Sequence, residues 1–176
     1  ARELARRNTR AFKEAGVDFI VSNAGGCGAL LLEYDQLLKD DPEWKAEAQW
    51  FTERLKDVSE LLWGAIDDLP LGPLPVRITY QDSCHLRNGM KASAFPRKLL
   101  QAIPEATYVE LFESDRCCGS AGIYNLTQPE MSMQLLNEKM DHVKETEAEL
   151  LVTANPGCLL QMKLGIHQSG LGEKMR

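Results

Sequence analysis

A segment of eleven residues occurs twice in this chain. Val-Asp-Phe-Ile-Val-Ser-Asn-Ala-Gly-Gly-Cys at 17–27 returns 131 positions later as Ala-Glu-Leu-Leu-Val-Thr-Ala-Asn-Pro-Gly-Cys at 148–158. The acid, the apolar run, the hydroxyl residue, the glycine and the cysteine coincide without a gap. Each copy follows a stretch of helical periodicity and precedes another. A helix–strand–turn–helix pattern alone is common, but Gly-Cys closing both copies is not. Such repetition means that one supersecondary unit is used twice, which restricts the architectures open to the chain.

The remaining segments extend that unit. Residues 1–15 read as a helix closed by Gly16, and 17–22 as a short strand. Asn23 to Gly28 reads as a turn, and Ala29 to Leu38 resumes helical spacing. A second helical pattern runs from Trp44 to Trp63, interrupted near Asp57-Val58-Ser59. Three prolines and a glycine at 67–75 mark a boundary. Beyond it come a strand at 76–80, a loop-like stretch at 87–94, a helix near 96–103 and a strand at 107–112. A helix from about Gln128 to Thr146, a strand at 150–153 and a helix from about Leu159 to Gln168 complete the order, with room for a further strand near 171–176. Strands alternating with helices predict an α/β fold, a parallel sheet with helices on both faces. The expected organisation is residues 1–66 as the tail of a first repeat with connecting helices, 67–75 as linker and 76–176 as a second repeat.

Composition narrows the function. The net charge is −6 and no basic stripe appears, so a nucleic-acid partner is not expected. No apolar run approaches the ~20 residues of a membrane span. The sequence starts Ala-Arg-Glu-Leu without a Met or a signal segment, and reads as a piece of a longer protein. Five cysteines cannot all pair internally, which favours metal binding or catalysis over a disulfide framework.

Those cysteines share an address. Cys84, the adjacent pair Cys117-Cys118, and Cys158 each follow an apolar strand. In an open parallel sheet the carboxyl ends of the strands form one ligand-binding edge. Four thiolates there suffice for a Cys₄ iron–sulfur cluster or a tetrahedral zinc. Adjacent cysteines do not readily form a disulfide with each other but can offer two sulfurs to one centre. Cys27, at the end of the first copy, is an orphan ligand whose companions are expected upstream of Ala1. His85 reads as a ligand, an outer hydrogen-bond donor or a turn residue. Asp82 and Asp115 flank the cysteines and suit turn capping or amide bonding, with tuning of a bound centre as a further role. Neither is read as a general base, and no catalytic residue is assigned. Nucleotide and heme motifs are absent.

The pattern resembles a known family. Asp-Ser-Cys-His-Leu (82–86), Glu-Ser-Asp-Arg-Cys-Cys-Gly-Ser-Ala-Gly-Ile-Tyr-Asn-Leu (113–126), Gln-Pro-Glu-Met (128–131) and Asn-Pro-Gly-Cys-Leu-Leu-Gln (155–161) are similar to the cysteine-rich domain with a CCG signature. That domain occurs in the cysteine-rich subunit of heterodisulfide reductase and its relatives, and the fit extends to the iron–sulfur subunits of glycolate oxidases. The resemblance implies a Rossmann-like domain in tandem and a cytoplasmic electron-transfer subunit, at most peripheral to the inner face of the membrane. It would carry an iron–sulfur cluster, of the 4Fe-4S type, on Cys84, Cys117, Cys118 and Cys158. A partner flavin-containing subunit would oxidise glycolate to glyoxylate, the electrons passing towards quinone, and this piece alone would not turn over. The heterodisulfide reductase pattern ends Cys-x-x-Cys, whereas Gln161 and Leu30 stand at the last position here. A simpler four-thiolate site is what remains. Related domains hold zinc, so a structural zinc or metal-free docking domain is the alternative, in a complex that oxidises lactate or glycerol 3-phosphate or resembles heterodisulfide reductase.

Overall fold

The computed structural model describes residues 1–176. In the first part, β1 (Ile20–Ser22) pairs in parallel with β2 (Leu55–Asp57), Ile20 opposite Leu55 and Ser22 opposite Asp57. Helices α1 (Arg2–Glu14), α2 (Gly25–Leu32), α3 (Tyr34–Leu37), α4 (Lys45–Arg54) and α5 (Val58–Gly64) surround this pair. In the second part, β3 (Arg77–Gln81) lies between β4 (Thr107–Val109) and β5 (Leu150–Thr153), all parallel. Its helices are α6 (Cys84–Asn88), α7 (Ala94–Gln101), α8 (Tyr124–Thr127), α9 (Pro129–Glu145) and α10 (Pro156–Gln168). Parallel strands with flanking helices are the α/β architecture that the alternation predicts, and they are consistent with a Rossmann-like fold. No helix is long and apolar enough to cross a membrane.

Each sheet has its own core. Ile20, Leu38, Ala48, Phe51 and Leu55 are buried together with Ala5 and Tyr34 in the first. Leu136, Met140 and Val143 of α9 meet Leu151, Met162 and Ile166 in the second. The central position of β3 explains why Ile78, Thr79, Tyr80 and Gln81 are all buried: a parallel strand covered on both faces shows no polar alternation. Arg176 exchanges backbone bonds with Glu149 (3.1 Å) and Leu151 (2.9 Å), next to β5, in the region where the sequence leaves room for a further strand.

Several expected boundaries shift. The pattern from Trp44 to Trp63 is, as expected, helical with an interruption near residue 57, although the interruption is a strand rather than a plain break. This is β2, whose three residues are too few to show a period of two, and whose conformation is set by pairing with β1. Asp57 then restarts the chain as α5 with a capping box: its carboxylate accepts the Ser59 amide at 2.9 Å, and Glu60 accepts the Asp57 amide at 3.1 Å. The expected turn at 23–28 is already helical from Gly25, and the last helix starts at Pro156 rather than near Leu159. Proline suits that first position because its missing N–H has no helical partner there. Two glycines would not normally open a helix. Here their otherwise unpaired amides are taken up by distant groups, Gly25 donating to the Ala154 carbonyl and Gly26 to Asn155 Oδ1, both at 3.0 Å. A side chain at Gly25 would lie 2.5 Å from Ser83 Oγ, so only glycine lets α2 seat against α6.

Candidate metal centre

The carboxyl ends of both sheets meet at one cleft of about 310 Å³. Cys84 lies at its wall as the first residue of α6, after β3, with Ser83 Oγ accepting the Leu86 amide as a helix cap at 3.3 Å. Cys158 is the third residue of α10, after β5, and Cys27 is the third residue of α2, after β1. The two repeat copies therefore place their terminal cysteines at the same point of the same element. Cys117 and Cys118 come from the loop between β4 and α8. Helices α2 and α10 begin at the cleft and direct their amino ends towards it, which favours anionic sulfur there.

The loop carrying the cysteine pair is held in unusual backbone geometry. Glu113, Gly119, Ala121 and Gly122 all have positive φ. At Gly119 (φ +94°) a side chain would lie 2.5 Å from the Ser132 carbonyl, so this residue must be glycine on conformational and steric grounds alike. The tight turn brings the Gly119 amide back to donate to Cys117 Sγ at 3.4 Å. Upstream, the buried Gln81 amide donates to the carbonyls of Asp82, Ser114 and Arg116 at 2.9–3.0 Å, tying the end of β3 to the approach to Cys117.

The four cysteines of the second copy perturb one another. Interaction with Cys118, then burial, pushes the Cys117 thiol well above the ordinary range. For Cys118 the influence of Cys117 acts downwards, but that of Cys158 and burial outweigh it and the thiol is pushed up to about 11. Cys158 is lowered, first by the Cys118 thiol and further by Asn155, whose Nδ2 donates to Cys158 Sγ at 3.7 Å. Burial, then the nearby Cys117, raises Cys84. Cys27 lines the same cleft but is exposed and is not among the groups that shift the other thiols. It is thus less isolated than its position in the sequence suggests, although it sits on the rim.

The thiols of an unfolded chain ionise from about pH 8.5, whereas Cys118 in the folded state does so only near about 11. Cys84 and Cys117 shift the same way, and Cys158 alone shifts the other. Above the unfolded value the unfolded state therefore binds fewer protons, and native stability falls as pH rises. The expected result is a decreasing melting temperature between pH 8 and 10 for metal-free, reduced protein, read by circular dichroism. A flat or rising profile would contradict the directions assigned to the cleft thiols.

Of the other residues singled out, His85 lines the cleft with Nδ1 3.6 Å from Cys84 Sγ. Asp115 is exposed and pairs with Arg87 at 3.3 Å. Asp82 is buried against Arg97 and Arg87. Sequence reasoning missed Asn155, which lies inside the quoted Asn-Pro-Gly-Cys motif yet bridges the two copies by bonding both Cys158 and Gly26. It also missed Arg97, for which no local signal exists.

No three of the ligand-type side chains stand closely enough to close on a single ion as they are. A tetrahedral zinc requires Zn–S distances of ~2.3 Å and correspondingly close sulfurs. Four thiols facing one cleft are a donor set that fits an iron–sulfur cluster and, with closer approach of the sulfurs, a zinc ion.

A parallel α/β scaffold whose repeated strand ends deliver cysteines to a common cleft defines a thiol-based ligand domain. The chain belongs to the cysteine-rich domain family designated CCG, which matches residues 1–31 and 78–163. It is 56% identical, over 99% of its length, to the probable glycolate oxidase iron-sulfur subunit of Bacillus subtilis, and spans 40% of that protein. It is 31% identical, over 99% of its length, to lactate utilization protein A of Oceanobacillus iheyensis, spanning 71% of it. It is also 34% identical, over 97% of its length, to a subunit of the CoM/CoB fumarate reductase of Methanothermobacter marburgensis, spanning 32% of it.

Proposed function

We propose that this chain is the cluster-bearing part of an electron-transfer subunit of a glycolate oxidase, with Cys84, Cys117, Cys118 and Cys158 holding a 4Fe-4S cluster. The observation that carries this reading is the convergence of those four thiols, which perturb one another, on one cleft. When bound, such a cluster supplies one-electron redox chemistry. The residues of this chain would position its thiolates and donate hydrogen bonds to Cys117 and Cys158 from Gly119 and Asn155. The similarity to the probable glycolate oxidase iron-sulfur subunit from Bacillus subtilis supports glycolate as the substrate of the complex. On this reading electrons would arrive from a flavin-containing partner and leave towards quinone. Separate cores for the two sheets support reading residues 76–176 as one repeat, joined by 67–75 to the tail of another at 1–66.

Anaerobic reconstitution with iron and sulfide tests the assignment. About four iron and four sulfide per chain, brown colour and a reduced-state paramagnetic signal are expected. One zinc per chain, with iron refused, would replace this reading with a structural zinc site. Cys27→Ser should leave the metal content unchanged, because its thiol lies on the rim. A loss of metal in that variant, measured by elemental analysis, would place Cys27 among the ligands.

A further inference from the structure

We propose that Gln161 is a positioning residue for the Cys117–Cys118 pair, acting through Ser132 on the Gly119 carbonyl. This rests on the cluster reading for its purpose, though not for its geometry. Gln161 occupies α10 one turn beyond Cys158, and its side chain points behind the cysteine loop rather than lining the cleft. It is buried, as is Ser132 of α9. Its Nε2 donates to Ser132 Oγ at 3.0 Å, and Ser132 Oγ donates to the Gly119 carbonyl at 2.9 Å. Asn125 Nδ2 donates to the other end of the amide, Oε1, at 3.4 Å.

The direction of this relay matters. A serine hydroxyl has one proton. Because Gln161 presents a donor, that proton is free for the Gly119 carbonyl. The carbonyl is thereby fixed on one side of a residue held at φ +94°, while the amide on the other side reaches Cys117 Sγ. The helix bearing Cys158 thus sets the conformation of the loop bearing Cys117 and Cys118.

The test compares alkylation rates of individual cysteines in the metal-free, reduced protein by peptide mass mapping, with melting temperature as a fold control. Gln161→Glu keeps the size but takes up the Ser132 proton, leaving the Gly119 carbonyl unbonded. Gln161→Glu and Ser132→Ala should each raise the rates of Cys117 and Cys118 relative to Cys84 by about fivefold, the factor corresponding to one lost hydrogen bond. The double variant should add little to the larger single effect. Ser132→Thr retains the hydroxyl and should behave like the parent. Unchanged relative rates, or all five cysteines accelerating together, would overturn the proposal. In reconstituted protein the same variants should shift the paramagnetic spectrum. If the parent takes up no cluster, the functional reading fails while the alkylation pattern still decides the role of Gln161.

Discussion

Cys117→Ser is expected to reduce bound metal to background while leaving the fold intact, and Cys118→Ser to do the same at an additional cost in stability. The two differ because their surroundings differ. Cys117 is half-buried in the turn and touches the Gly119 amide, so a hydroxyl there keeps access to polar partners. Cys118 is buried in the apolar cluster with Leu136, Met140 and Leu151. A serine hydroxyl placed there without a full set of bonds costs about 1–3 kcal/mol. Cys118→Ala should recover part of that stability without recovering metal. Loss of an outer hydrogen-bond partner alone reduces metal affinity ~10–100-fold, and loss of one thiolate in four should exceed that. Elemental analysis after anaerobic reconstitution measures the first effect, and thermal unfolding the second. If both serine variants retained the metal content of the parent, the assignment of the double-cysteine loop would be wrong.

The site is more legible in the sequence than the framework supporting it. Cysteine after strand is a local signal, and the register of the repeat alone puts Cys158 and Cys27 at equivalent points. The first copy still misleads in one respect. Gly-Gly-Cys reads locally as a turn because glycine is a poor helix former. The helix starts there because Ala154 and Asn155 supply acceptors from 129 positions away. β2 is hidden for a similar reason: three residues following a helix take their conformation from a neighbouring strand. Gln161 is recognisable only as a missing sulfur, since its bonds to Ser132 and Asn125 depend on how α10 packs against α9. In each case a long-range partner decides the local structure, and a single sequence has no periodicity that reports it.

Arg97 is the extreme instance, and its replacement should have the largest effect on folding. From α7 its guanidinium reaches Asp82 at 2.8 Å, Glu110 at 2.9 Å, Ser114 Oγ at 2.8 Å and the Ser93 carbonyl at 3.0 Å. Burial opposes its charge, but the bonds to Glu110 and Asp82 more than compensate and hold it protonated. The Asp82 side chain is only 1% exposed, so these donors stand in for the water its carboxylate lacks. Arg97→Ala would leave Asp82 with Arg87 alone, a side chain that is 42% exposed and 3.2 Å away. Breaking a buried pair on one side costs about 3–5 kcal/mol. For a chain of this size that lowers the melting temperature by roughly 6–20 °C. Arg97→Lys should fall in between, since an ammonium cannot span the carboxylates and Ser114 as a planar fork does. Adding Asp82→Asn to Arg97→Ala should restore part of the loss, because the stranded charge is removed. A loss below about 1 kcal/mol, the range of exposed pairs, would mean that Arg87 compensates fully. Metal affinity should fall with stability. Asp82 leads directly into Ser83 and Cys84, and its amide donates to the Ser114 carbonyl at 3.1 Å, just ahead of Cys117. The same guanidinium that neutralises a buried carboxylate therefore sets the spacing between two of the loops that carry sulfur.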